Sequence, residues 1–175
     1  APRVDGALQR TVVALVRAFP GSAAAYVQSL TSGEGAAWNA RAVYPGASSL
    51  KLAVAVAALS RVEGVPAYGS TFDRALRSMV LDSDNDAANE VERWYGGSTS
   101  GGSAAVNGMM RDLDLDDTDM YGGYELEPDG LAPARGLYAT IPLRVDSQPS
   151  WGRGKRTSAR DLAFLLRAVW LASGG

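Results

Sequence analysis

The feature that most constrains the fold is a segment, residues 50–59, that is apolar at every position except Lys51. A helix that is apolar nearly all round has no face suited to water, so it is buried inside a domain. Ser48 precedes Lys51 by three residues, at the point where this helix would begin. The sequence therefore predicts a central, buried helix that carries a serine and a lysine at its start.

Hydrophobic periodicity and turn residues predict the other elements. Strands are expected over residues 23–30 and 36–43, and the turn between them makes a hairpin. Ranges with apolar residues at helical spacing predict five further helices, the last capped by Thr157 or Ser158. Those ranges are residues 3–19, 72–81, 87–95, 104–113 and 157–171.

The chain is expected to form one α+β domain over residues 1–175, with a helical subdomain over 44–155. Glycine and serine dominate residues 96–102, which predicts a mobile connection, and residues 114–154 read mostly as loop. A two-stranded hairpin is marginal by itself, so further strands are expected to follow Gly175.

Composition excludes several classes of partner. The chain has a net charge of −2 at pH 7, which argues against nucleic acid or an anionic membrane surface as the main partner. It contains no His and no Cys, and the acidic residues between 112 and 119 lack the pattern of a calcium loop. We therefore expect no metal and no cofactor.

The same absence of His and Cys narrows the choice of nucleophile. A hydroxyl activated by lysine or a carboxylate is the solution that remains for covalent catalysis. Ser48 and Lys51 share one helical face, and an apolar environment would favour the neutral amine that can take the serine proton. The alternative reading is a capping serine beside a solvated lysine.

A second polar cluster, Ser83-Asp84-Asn85, lies in a predicted turn between two helices. Ser83 can relay a proton to a leaving amine, and the Asn85 amide can orient both the lysine and a substrate carbonyl. All three residue types also favour helix N-caps, which is the alternative reading.

Together the segments 44–51, 83–89 and 157–163 resemble the serine β-lactamase and penicillin-binding protein superfamily, and class A β-lactamase-like serine hydrolases in particular. The resemblance implies a β-lactamase/transpeptidase-like fold, here its N-terminal helix, first two strands and helical subdomain without the C-terminal strands. It also implies Ser48 as the acylated nucleophile, Lys51 as its base and Ser83 as the proton relay. Asn85 would contact substrate, and Asp84 would be structural.

The sequence departs from the family pattern in three ways. Ser83 follows Ser48 by only 35 residues, which predicts a trimmed helical subdomain. The sequence has no Lys-Thr-Gly motif, so the chain is expected to be C-terminally incomplete, its sheet completed by a missing segment or another chain. It also lacks the Glu-x-x-Leu-Asn motif of deacylation; Glu125, Glu127 and Asp146 are weak substitutes, and Trp151 could line the cleft or simply pack.

These observations favour a serine hydrolase that a β-lactam or a peptidoglycan-like amide acylates at Ser48, with weak or absent deacylation. The alternatives are a D-alanyl-D-alanine peptidase or penicillin-binding protein, and a non-catalytic member that binds a ligand or protein. A cell-wall substrate predicts a bacterial protein that is secreted or associated with the cell envelope.

Overall fold

The computed structural model describes residues 2–120, 122–124 and 155–173. Within them the chain forms six α-helices and five short strands. The helices are α1 Gly6–Ala18, α2 Lys51–Leu59, α3 Thr71–Arg77, α4 Asn85–Gly96, α5 Thr99–Asp112 and α6 Ala159–Ala172. The strands are β1 Arg3–Val4, β2 Ala25–Gln28, β3 Glu34–Trp38, β4 Val43–Pro45 and β5 Arg156–Ser158.

The predicted hairpin is present as β2 and β3, which pair antiparallel, and β1 adds a parallel edge to β3. The predicted second strand is too long, because β3 ends at Trp38 and Asn39 takes a positive φ of 44°. The chain resumes extended structure at Val43, where β4 pairs antiparallel with β5. This second, two-stranded sheet joins the segment before Ser48 to the segment before α6.

The predicted central helix is confirmed as α2. Four of its side chains are fully buried, namely Ala53, Val54, Ala57 and Ala58. They belong to one apolar cluster that also includes Val91 of α4, Val106 of α5 and Leu165 of α6. The small alanine side chains let neighbouring helices pack closely against α2, which fixes the position of its first residue, Lys51.

The glycine-rich connection between α4 and α5 is a tight packing site, so the expectation of a mobile linker at 96–102 is wrong. α5 begins at Thr99, inside the segment that was expected to be mobile. A Cβ atom placed on Gly96 would lie 2.1 Å from the backbone nitrogen of Gly102. Glycine is therefore used here for close approach of two backbones.

Gly102→Ala is expected to destabilise the protein by roughly 1–3 kcal/mol, the usual cost of overpacking. The new Cβ would stand 2.6 Å from the Glu92 Cβ and 2.9 Å from its Cα, so α4 and α5 would have to separate. Gly108→Ala is the matched control, since nothing lies within 4 Å of that position on the same helix. It is expected to stabilise by up to about 1 kcal/mol. Urea unfolding of both variants measures the difference, and equal midpoints would contradict the packing argument.

The last helix begins two residues later than predicted. Residues 156–158 form β5, and α6 starts at Ala159 with Ser158 as its N-cap, accepting a hydrogen bond from the Asp161 N–H at 3.1 Å. Pairing of β5 with β4 decides this boundary, and local sequence does not report that pairing.

A buried polar network fixes the start of α6. Asp161 accepts 2.9 Å hydrogen bonds from the Asp117 N–H and the Thr118 hydroxyl. The Asp117 carboxylate in turn receives two bonds from the Arg41 guanidinium, at 2.8 and 2.9 Å. Burial raises the pKa of Asp161. The network locks residues 117–118 and β5 into one arrangement beside the segment that carries Ser48.

Among the described residues, no helix combines the length and apolarity that a membrane span requires. The same part of the chain contains no group of three or more acidic residues placed to hold a metal ion.

Candidate active site

Ser48 lies in a single 3-10 turn, Ala47–Leu50, that leads directly into α2. Its side chain is exposed, whereas Leu50 at the end of the turn is fully buried. Ala47 has a positive φ of 41°, a sharp local bend just before the serine. The Gly46 N–H donates to the Lys155 carbonyl at 2.9 Å, so pairing with β5 fixes where the turn begins. The buried end and the β pairing hold Ser48 at the surface.

The Lys51 side chain is only 3% exposed, although it bears a charged group. Its ammonium nitrogen donates to the Asn85 Oδ1 at 2.7 Å, to the Ser83 Oγ at 3.2 Å and to the Ser83 carbonyl oxygen. Buried lysines of this kind need such partners, because an unpaired ammonium costs several kcal/mol out of water. The solvated lysine of the alternative reading is therefore excluded.

Ser83 lies in a left-handed conformation, with φ 57° and ψ 32°, where a π-helical turn over Ser78–Asp82 ends. Non-glycine residues rarely adopt this conformation, and it turns the Ser83 carbonyl toward Lys51. Asp84 is the N-cap of α4 and accepts from the Ala87 N–H at 2.9 Å, which lowers its pKa. Of the three residues in this cluster, Asp84 is thus the one that caps, while Ser83 and Asn85 face the lysine.

Ser48, Lys51 and Ser83 all line one groove of about 1860 Å³ between α2 and its neighbours. Most of its walls are apolar, including Leu52, Val56 and Met79. The groove thus contains the exposed Ser48 hydroxyl, the buried Lys51 amine three residues further along the chain, and the Ser83 hydroxyl that is hydrogen-bonded to that amine. Such a set can remove a proton from one oxygen and return a proton to a leaving group.

A tyrosine that the sequence reasoning missed covers the lysine. The Lys51 nitrogen lies 4.9 Å from the centre of the Tyr124 ring, within the range of a cation–π contact. The Tyr124 N–H donates to the Asn89 Oδ1 at 2.7 Å, and the Ser103 hydroxyl donates to the Gly122 carbonyl at 3.1 Å. Residues 122–124 are therefore pinned to α4 and α5.

Lys155 and Glu92 complete this missed cluster. The Lys155 nitrogen lies 4.6 Å from the centre of the Tyr124 ring and donates to the Gly123 carbonyl. Glu92 is fully buried on α4, and neither carboxylate oxygen has a hydrogen-bond partner among the described residues. Burial raises the pKa of Glu92 to about 8 despite the opposing attraction of Lys155, and burial lowers the pKa of Lys155.

One signal in the sequence could have found this cluster. Glu92 follows Ala88 by four residues and Val91 by one, so it falls on the apolar face of its helix. An acid on that face indicates either a paired charge or a carboxyl that stays protonated.

The other candidates from the sequence, Glu125, Glu127, Asp146 and Trp151, lie outside the described residues. The roles assigned to Ser48, Lys51, Ser83 and Asn85 remain predictions, although the last three are in direct contact.

Comparison with known proteins identifies the fold. Residues 7–64 match the profile of the β-lactamase enzyme family. The structure of a point mutant of PBP-A, in an acyl-enzyme complex with penicillin G, superimposes with a TM-score of 0.67 at 21% identity. That match covers 98% of this chain and 64% of the other. The chain has the β-lactamase-like fold.

Two further structures share the β-lactamase-like fold. A β-lactamase from Streptosporangium roseum matches with a TM-score of 0.65 at 17% identity, over 94% of this chain and 63% of that one. A D-alanyl-D-alanine carboxypeptidase from Mycobacterium tuberculosis H37Rv matches with a TM-score of 0.57 at 22% identity, over 85% and 55%. No curated protein sequence matches the chain significantly.

The predicted resemblance to β-lactamase-like serine hydrolases and the predicted α+β fold class are thus confirmed. The chain spans less than two thirds of the length of these structures.

Proposed function

We propose that the protein is a serine hydrolase acylated at Ser48 by a β-lactam or a peptidoglycan-like amide, and that the resulting ester is hydrolysed slowly or not at all. The observation that carries the proposal is the burial of Lys51 against Ser83 and Asn85, in the groove where Ser48 is exposed. A lysine sequestered in this way is suited to act as a base.

The proposed reaction begins with neutral Lys51, which takes the proton from the Ser48 hydroxyl. The serine oxygen attacks the carbonyl carbon of the amide, and a tetrahedral oxyanion forms. Backbone N–H groups of the turn before α2 lie at the positive end of the helix dipole, which favours that charge. The C–N bond then breaks, Ser83 passes a proton to the departing nitrogen, and Lys51 reprotonates Ser83. An ester on Ser48 remains.

The likeness to structures named for penicillin binding, β-lactamase activity and D-alanyl-D-alanine carboxypeptidase supports the substrate class. Substrates of cell-wall type would place the protein outside the cytoplasm, either secreted or at the cell envelope. A D-alanyl-D-alanine peptidase is the second candidate, favoured by the carboxypeptidase match and by the missing Glu-x-x-Leu-Asn motif.

Incubation with a fluorescent penicillin tests the proposal. We expect a covalent adduct that peptide mass analysis locates on Ser48, and no adduct in Ser48→Ala. Ser32→Ala, in the exposed turn of the β2–β3 hairpin, is the control that should retain the label. The lifetime of the adduct separates the candidates, since a lactamase would lose it quickly. Absence of any adduct at high reagent concentration would overturn both and leave a non-catalytic binding role.

A further inference from the structure

The chain contains only two lysines, Lys51 and Lys155, against fifteen arginines. The ammonium groups of both lie over one aromatic ring, that of Tyr124, at 4.9 Å and 4.6 Å from its centre. Their separation therefore cannot exceed the sum of those two distances. Lysine can lose its proton when buried, whereas arginine cannot. The two positions where the chain uses lysine are thus the two beside Tyr124.

Glu92 lies within electrostatic range of the same cluster. Its charge acts on Lys155, Tyr95 and Tyr124, yet its carboxylate oxygens receive no hydrogen bond from the described residues. The close approach of Gly102 on α5 excludes space around the base of its side chain. An acid held in this way can keep its proton or ionise beside the Lys155 ammonium, and the choice depends on pH.

We propose that the buried Glu92 and the half-buried Lys155 form a counter-charge pair beside Tyr124 that controls the protonation of Lys51. When Glu92 carries its proton, the Lys155 ammonium is uncompensated and repels a proton on Lys51. When Glu92 ionises, the pair becomes neutral overall and that repulsion falls. Glu92 and Lys155 are positioning residues, because they act through the electrostatic field at Lys51. Any effect of this coupling on acylation of Ser48 rests on the function proposed above, whereas the coupling itself does not.

Within the part of the chain that the structure describes, the other charged groups near the pair do not replace this effect. Arg93, next to Glu92 on α4, is exposed, and the Arg61 guanidinium lies 5.1 Å from the centre of the Tyr95 ring on the neighbouring turn. Asp84 interacts electrostatically with Lys51, but it is exposed at the start of α4. Exposed charges are screened by water and salt. Among the described residues, the charges beside Tyr124 that are shielded from water are those of the buried Glu92 and Lys51 and of the half-buried Lys155.

Nuclear magnetic resonance of lysine labelled with ¹³C at Cε tests the coupling without any substrate, since the chain gives only two side-chain signals. In the wild-type protein, the Lys155 signal should change with a midpoint near pH 8, as Glu92 ionises. Glu92→Gln should abolish that step and lower the titration midpoint of Lys155 itself, which loses the attraction of the carboxylate.

Lys155→Met removes the repelling cation and leaves one signal, that of Lys51. Its titration midpoint is expected to rise by about one pH unit, the size of the interaction between two charges at this separation in a partly shielded site. Arg17→Met is the matched control, because it removes an exposed cation of α1 that lies 5.8 Å from the centre of the Trp38 ring. It should leave the Lys51 titration at its wild-type position.

The outcomes are distinct. Identical Lys51 titrations in wild type and Lys155→Met overturn the proposal, as does a Lys155 step near pH 8 that persists in Glu92→Gln. If Lys155→Met does not fold, the Lys51 signal of Glu92→Gln decides. The Lys155 ammonium is uncompensated at every pH in that variant, so the Lys51 midpoint should fall, and an unchanged midpoint would overturn the proposal. A coupled titration in a protein that no penicillin labels would leave this inference standing and reject the proposed function. Labelling of Ser48 with uncoupled lysines would do the reverse.

Discussion

Lys51→Arg is expected to slow acylation of Ser48 by about 10²–10⁴-fold, the usual contribution of a positioned general base. Arginine keeps the positive charge that the oxygens of Ser83 and Asn85 accept hydrogen bonds from, but it does not deprotonate at any working pH. A base role therefore predicts a large loss, whereas a purely structural cation would be replaced with little effect. Lys51→Ala should lose acylation as completely as the arginine variant.

The measurement is the rate of adduct formation with a fluorescent penicillin, followed by gel or mass analysis. Thermal unfolding must accompany it, because Lys51 is buried and either substitution disturbs its hydrogen bonds. Folded Lys51→Arg protein that acylates at the wild-type rate would contradict the base assignment. Acylation lost in both variants, with the fold retained, is the expected result.

Glu92→Gln is expected to make the protein less sensitive to alkaline pH. The Glu92 carboxyl has a pKa of about 8 in the folded protein and an ordinary pKa of 4.5 when exposed. Folding therefore takes up a proton at pH values between these two pKa values. The native state consequently binds more protons than the unfolded state in that window, and stability falls as pH rises through it. The loss approaches roughly 3–5 kcal/mol near pH 8, and glutamine, which does not ionise, avoids it.

Urea unfolding at pH 5, 6, 7 and 8 measures this effect. The stability difference between Glu92→Gln and wild type should grow across the series in favour of the variant. Glu90→Gln is the matched control, since Glu90 is exposed on the same helix and the chemical change is the same. Parallel loss of stability in wild type and Glu92→Gln from pH 5 to 8 would show that Glu92 does not keep its proton in the folded state.

Local sequence was sufficient for the elements in which pattern and environment agree. The all-apolar run predicted α2 as the central helix, and helical spacing placed Ser48 and Lys51 together at its start. Predictions of α1 and the β2–β3 hairpin needed only periodicity and turn residues. Where a boundary depended on pairing with a distant segment, as for β4 with β5, prediction failed.

The glycine-rich segment shows why composition misleads when tertiary contacts decide. Residues 96–102 have the composition of a flexible linker. Gly96 and Gly102 nevertheless let α4 and α5 approach so closely that a side chain at either position would clash with the other helix. Glycine serves both purposes, and only the neighbouring backbone shows which one applies.

The sequence by itself determined the identity of the candidate nucleophile and base. Without His or Cys, and with Ser48 three residues before a lysine in an apolar helix, few other arrangements could do covalent chemistry. Tertiary structure alone decided how the predicted Ser83 and Asn85 reach that lysine and which further groups surround it. Ser83 and Asn85 reach it from a left-handed turn, and Tyr124, Lys155 and Glu92 come from three separate segments. Electrostatic interactions depend on distance in space, so the sequence order of these groups does not reveal that they act on one another.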